Sequence, residues 1–234
     1  MSMSFEFQEV IDTPKHPPGT IGIVCDHTAR YTDFYISLQG VKSPPGSRVD
    51  WSRGGDVVQN CNLAVEKMGG EWIWIMGDDH AFEEDALMRL LDREVDIVVP
   101  ICVRKNPPFD PVVYNKLTET GYKTINLTDY GPDDLIEIEA AGSAGMLIRK
   151  HVLDALESPC FARAEIQPGL TVTEDLYFCY KARQAGFKIH CDLNVALGHI
   201  RPITIIAVYK DGEWGRTFDF GTGQGIFVAD EDPI

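Results

Sequence analysis

The stretch EWIWIMGDDH, residues 71–80, decides the fold. Trp72, Ile73, Trp74, Ile75 and Met76 form an unbroken apolar run, and a short run of this kind reads as a strand buried on both faces. Gly77 ends it. Asp78, Asp79 and His80 then fall at the carboxyl end of a central strand, where open α/β sheets place their ligands. Carboxylate and imidazole groups crowded at such an edge can hold a divalent cation, and that cation can hold a diphosphate. Read locally, the same Asp-Asp is also a turn and the N-cap of a helix starting near Phe82.

Working outward, the pattern alternates. TIGIVC (20–25) is a β-branched strand, followed by Asp26, His27, Thr28 and Arg30 in a strand-to-helix loop. A helix over 31–39 is stopped by SPPG at 43–46. A second strand covers 48–51, and Arg53-Gly54-Gly55-Asp56 leads into a helix that runs to about Met68. Asp56 is its N-cap and Gly69-Gly70 its stop. Beyond the opening stretch come a helix over 82–93 and a buried strand over 95–101. Strands and helices alternating at this spacing predict a mostly parallel sheet covered by helices.

From 104 to 141 the pattern loosens, with loop signals in NPPFDP and YGPDD and one hairpin arm in YKTINL. AGMLIR (144–149) is a strand preceded by AAGS, small residues that let backbone or ligand approach closely. A helix follows over 150–157. Thr173 is placed to cap a helix over 174–185 that Gly186 closes, and short strands are expected at 187–191 and 195–197, ending in Gly198-His199. The tail reads as a strand at 203–209 and Gly-rich loops.

Composition sets the outer bounds. At 234 residues, with 44% hydrophobic and 24% charged content, the chain can bury a real core. A net charge of −15 disfavours a broad phosphate-backbone interface. No apolar run approaches membrane-spanning length and the acidic start MSMSFEFQEV is not a signal or transit peptide, so no membrane insertion and a cytoplasmic location are expected. The six cysteines are scattered without a CxxC pair, and read as reduced packing residues, Cys102 and Cys179 included.

Three polar clusters follow apolar elements in order: Asp78-Asp79-His80, Glu174-Asp175 and His199. Metal-assisted group transfer needs such parts: a cluster that holds the ion, a carboxylate that takes a proton from the nucleophile, and a further ligand. Each has a plainer reading. Glu174 and Asp175 can be first-turn helix acids, His199 an ordinary histidine, and Arg53 a solvated loop residue. Trp72 and Trp74 are core residues in an apolar run, leaving Trp214 as the stacking candidate for an acceptor.

The order of these clusters resembles that of a GT-A fold glycosyltransferase, similar to the family-2 type. The resemblance rests on GGDVVQNCNLAVEKMGGEWIWIMGDDHAFEEDALMRLL, GSAGMLIRKHVL, TEDLYFCYKARQAGFKI and VALGH, and covers about residues 20–200. It implies an α/β GT-A domain over 1–234, with a nucleotide-sugar-binding half at about 20–105 and an acceptor and catalytic half at about 106–200. A smaller antiparallel part would lie on the acceptor side, with 201–234 as a C-terminal extension. Asp78 and Asp79 stand at the DxD position. The ligand at its third place is Asp79 if Gly77 takes the first, or His80 in a DxH variant. His199 matches the late histidine that binds metal or diphosphate, and Asp175, with Glu174 beside it, matches the general base of inverting members. Asp26, Thr28, Arg53 and Asn60 stand among the expected nucleotide contacts.

The implied activity is transfer of a sugar, with inversion, from a nucleotide-diphosphate sugar (a UDP-sugar by preference) to a hydroxyl acceptor: a protein, a small molecule or a modified nucleic acid. The cofactor expected is Mn²⁺ or Mg²⁺, which would neutralise the leaving diphosphate, and an imidazole ligand tilts the choice toward Mn²⁺. Two other readings stay open, a nucleotidyltransferase on a similar sheet and a non-catalytic sugar-nucleotide or glycan-binding module. A glycoside hydrolase would need no metal.

Overall fold

The computed structural model describes residues 14–25, 31–221 and 225–229. The first half of the chain gives β1 (Thr20–Val24), α1 (Thr32–Gly40), β2 (Arg48–Ser52), α2 (Val57–Lys67), β3 (Trp72–Gly77), the two-residue β4 (His80–Ala81), α3 (Ala86–Asp92) and β5 (Ile97–Ile101). A looser middle section follows with β6 (Val113–Thr118), β7 (Gly121–Thr124), β8 (Leu135–Ile138) and β9 (Ala140–Ala141). Then come β10 (Met146–Arg149), α4 (Lys150–Ala155), β11 (Ala164–Gln167), β12 (Leu170–Val172), α5 (Glu174–Gln184), β13 (Ile189–Ala196) and β14 (Gly198–His199). The chain closes on β15 (Thr204–Lys210), β16 (Glu213–Asp219) and β17 (Gly225–Ala229).

Among the described residues a seven-stranded sheet forms in the order β2-β1-β3-β10-β5-β13-β8. It is mixed. The β1–β2, β1–β3 and β5–β13 pairs are parallel, while β10 runs antiparallel to both β3 and β5, and β8 antiparallel to β13. The two hydrophobic clusters explain the unbroken run of β3. Ile73 and Ile75 pack with Cys61 of α2, Val152 of α4 and Phe178 of α5. Trp72, Trp74 and Met76 pack with Phe34 of α1 and the leucines of α3. Alternate side chains meet helices on opposite faces, so no position in the run can be polar.

Helix boundaries follow local chemistry. The Asp56 carboxylate accepts from Gln59 N–H at 2.9 Å and caps α2. Residues 82–85, expected within a helix, are not helical. His80-Ala81 pairs with Gly198-His199, and Phe82 is drawn into the core edge-on against Trp74, at 5.1 Å between ring centroids, so α3 begins only at Ala86. Thr173 precedes α5 but makes no side-chain cap; its hydroxyl bonds the Asp175 carboxylate instead. The two strands expected at 187–197 are one strand, β13, whose register against β5 shifts between Asp192 and Ala196. The tail is a three-stranded antiparallel meander, β15-β16-β17, where loops were expected after 209.

One ion pair has a strong consequence for stability. Asp192 is fully buried and receives Arg93 Nε and Nη2, each at 2.7 Å, across 99 residues of sequence. Removing the guanidinium strands a buried carboxylate. Arg93→Leu is therefore expected to cost about 2–3 kcal/mol in urea melts, below the cost of breaking a fully buried pair because Arg93 keeps 31% of its side chain exposed. The double variant Arg93→Leu/Asp192→Leu should recover part of that loss, since no charge is then left unpaired.

Candidate functional site

Strand direction gathers the site. β1, β3, β5 and β13 all run the same way, so the residues after each emerge at one edge of the sheet. β10 runs the opposite way, and its amino-terminal lead-in, Gly142-Ser143-Ala144, therefore reaches that same edge. A cavity of about 270 Å³ opens there, and Asp78, Asp79, His80, Cys102, Asp175 and His199 line it. Residues as far apart as 78 and 199 in the chain share one wall.

Asp78 and Asp79 form a turn between β3 and β4, so the turn part of the local reading holds, but neither caps a helix, since α3 starts at Ala86 after Asp85. The pairing of β4 with β14 sets His80 opposite His199, and their rings stack at 4.5 Å between centroids with 29° between planes. Ile200 N–H anchors the corner on the Asp79 carbonyl at 2.8 Å.

Asp79 is the centre of charge. Its Oδ1 lies 2.9 Å from His80 Nδ1, and its Oδ2 lies 3.3 Å from His199 Nε2 and 3.1 Å from Lys105 Nζ. Burial works to raise its pKa, but the bonds to His199, His80 and Lys105 hold it well below the usual carboxylate range. Both imidazoles respond in kind. Burial would lower them, yet the neighbouring Asp79 and Cys102 groups push His80 up to about 9 and His199 up to about 10. Burial raises the Cys102 thiol, and the neighbouring His199 and His80 imidazoles more than reverse it, to about 7.

The ring nitrogens are sorted by their partners. A carbonyl oxygen only accepts, so His199 Nδ1, 2.9 Å from Val103 O, carries its hydrogen, and Nε2, now facing the Asp79 carboxylate at 3.3 Å, is the atom a cation would take over from that pair. His80 Nδ1 faces the Asp79 carboxylate, while its Nε2 is buried without a hydrogen-bond partner among the described residues. The ligand atoms of His80, Cys102 and His199 lie within 4.8 Å of one another. An orphaned imidazole nitrogen beside a second oriented imidazole and a thiol is a donor set that fits a divalent cation.

Asp175 enters from the other wall. Its Oδ1 accepts from Thr173 Oγ1 at 2.5 Å and from Leu176 N–H at 2.8 Å, which fixes the carboxylate at the start of α5. Gly142 faces it across the cavity: a Cβ there would stand 3.6 Å from Asp175 Oδ2. Glu174 is not among the cavity residues. It is buried, with Arg163 Nε at 3.7 Å, and burial pushes its carboxyl pKa up.

The remaining expected contacts lie elsewhere. Arg53 is exposed and, with Asn60, lines a separate surface depression at the start of α2. The Asn60 amide is committed to the backbone, donating to Cys25 O and Gly55 O at 3.0 Å each, and so ties α2 to the end of β1. Asp26 and Thr28 lie outside the described residues. Trp72 and Trp74 are fully buried, and Trp214 is 59% exposed on β16 beside Tyr209. All six cysteines are buried and none is in a disulfide. Sequence reading placed Cys102 with the packing residues and passed over Lys105; both follow β5, at the edge where ligands gather.

No protein-family model matches the chain, and no curated protein matches it. Among solved structures it is similar to A197 from STIV, at TM-score 0.52 and 10% identity, over 92% of this chain and 96% of that one. It is also similar to GalNAc-T7 with UDP, GalNAc and Mn²⁺, at TM-score 0.47 and 12% identity, over 81% of this chain and 38% of that one. The likeness to A197 is one of fold, and the second is too distant to carry an argument. Among the described residues no helix is long and apolar enough to cross a membrane.

Proposed function

We propose that the chain is a metal-dependent glycosyltransferase acting on a nucleotide-diphosphate sugar. One observation carries the reading: Asp78, Asp79 and His80, then Asp175, then His199, reach a single cavity from distant parts of the chain. The roles follow from position. Asp175, with Oδ1 held by Thr173 and Leu176, would present Oδ2 to an acceptor hydroxyl and take its proton. The Gly142–Ala144 wall leaves the close approach that a sugar ring needs. Lys105 Nζ, beside Asp79, would add positive charge where a diphosphate leaves. A divalent cation bound at the end of β3 would supply the rest of that neutralisation, and for the Asp79 and imidazole donors alone Mn²⁺ is the expected ion. One base opposite one leaving group suits a single displacement and hence inversion.

The test is nucleoside diphosphate release from a panel of UDP- and GDP-sugars, with Mn²⁺ and separately with Zn²⁺, using hydroxyl acceptors of each class. Turnover that stops on chelation is the expected result. Absence of turnover, together with no metal-dependent binding of any nucleotide, overturns the proposal. Inorganic diphosphate as the product would assign a nucleotidyltransferase instead.

A further inference from the structure

We propose that His80 Nε2, His199 Nε2 and Cys102 Sγ form a three-ligand site for a thiophilic divalent cation, Zn²⁺ in preference to Mn²⁺ or Mg²⁺. Three independent features of the site support this. The ligand atoms already cluster within 4.8 Å of one another. Tetrahedral Zn²⁺, with bonds of about 2.0–2.3 Å, needs its ligands roughly 3.5 Å apart, so side-chain rotations of about 1 Å close the set. Next, the opposite nitrogen of each ring is occupied, by Val103 O for His199 and by the Asp79 carboxylate for His80. That arrangement fixes ring orientation and raises ligand basicity, as outer partners do in carboxylate–histidine–zinc sites. Finally, His80 is 5% exposed with Nε2 unpartnered and Cys102 is 2% exposed, while His199 Nε2 and the thiol would exchange their present contacts, to Asp79 Oδ2 at 3.3 Å and Val103 O at 3.6 Å, for the ion.

Cys102 decides which ion fits. Two imidazoles and a carboxylate accept Mn²⁺, but thiolate sulfur selects Zn²⁺ and other borderline-soft ions over hard ones, in the direction of the Irving–Williams order as well. Three protein ligands leave a fourth position, and the cavity that all three residues line is where it opens. Asp79 acts as a positioning residue through His80. Its replacement by Asn is expected to weaken metal binding by about 10–100-fold. The site does not depend on sugar transfer, and metal binding is read without any nucleotide.

The experiment uses the full chain stripped with a chelator, loaded with Co²⁺ and titrated with Zn²⁺ and Mn²⁺. Expected are one ion per chain, a thiolate-to-cobalt charge-transfer band with four-coordinate d–d absorption, displacement by Zn²⁺, and no displacement by excess Mn²⁺. Cys102→Ser should lose the band and weaken Zn²⁺ binding by about 10²-fold. X-ray absorption at the zinc edge of the native chain needs no variant, and should read one sulfur neighbour at about 2.3 Å. Co²⁺ bound without the band, a zinc shell without sulfur, Mn²⁺ competing on equal terms, or no Zn²⁺ binding each overturn the proposal. A zinc shell containing sulfur on a chain that transfers no sugar would keep this site and remove the transferase reading; sugar transfer with no sulfur in the shell would do the reverse.

Discussion

Asp175→Asn is expected to lower sugar transfer by about 10²–10⁴-fold, the usual contribution of a positioned general base. The amide is nearly the same size as the carboxylate. It still accepts at one oxygen from Thr173 and from Leu176 N–H, so the start of α5 should keep its shape. What it cannot do is take a proton from an acceptor hydroxyl. Donor binding should therefore be unchanged while kcat falls, a split that separates loss of the base from loss of the fold. Nucleotide titrations beside single-turnover transfer assays check it. Transfer at the native rate would remove Asp175 from the chemistry, and would fit a module that binds sugar nucleotides without turning them over. Glu174→Gln offers a contrast. Its carboxyl lies off the cavity and its pKa is raised by burial, so a much smaller effect on transfer is expected.

Trp74→Ala is expected to cost about 3–5 kcal/mol, a large share of the roughly 5–15 kcal/mol that stabilises an ordinary domain. The indole is fully buried at the middle of β3, edge-on to Phe82, and its Nε1–H donates to Gly145 O at 2.8 Å. Alanine removes the packing and leaves that carbonyl without its donor. Trp74→Phe separates the two losses, since it keeps most of the ring and forfeits only the hydrogen bond, at about 1–3 kcal/mol. Urea unfolding of both variants reads the difference. Equal destabilisation by the two would mean that the hydrogen bond, and not the ring, dominates at this position.

Much of this architecture can be read from side-chain pattern alone. The run at 72–76 is apolar throughout because its alternate residues meet helices on opposite faces, and a buried strand has no other composition available to it. Polar residues placed after such strands stand out for the same reason. Asp78, Asp79, His80 and His199 were marked this way and line one cavity; of the acid pair marked at the start of α5, Asp175 lines it and Glu174 does not. The features that stayed hidden have physical causes too. A period of two carries no direction, so nothing in AGMLIR announces that β10 runs against its neighbours. Cysteine in an apolar segment has the composition of packing, and only the proximity of two imidazoles gives Cys102 another use. Asn60 offers a polar amide near a Gly-rich turn, as a ligand contact would, yet backbone carbonyls take up its donors. Helix α3 starts late because Phe82 gains more from the core than from continuing a helical turn.

The reversed strand has a consequence for motion. β10 hydrogen-bonds to β3 on one side and β5 on the other, and the chain entering it is the small-residue wall of the cavity. Gly145, at φ +68, makes that entry so tightly that a Cβ would fall 2.6 Å from Pro100 Cγ and 2.8 Å from Leu197 Cδ1. A segment clamped in this way cannot fray by itself, because releasing it severs the sheet between β3 and β5. Amide protons of Met146–Arg149 should therefore exchange with solvent only through opening of the whole domain, and the rim beside Asp175 should belong to the slowest cooperative unit of the molecule.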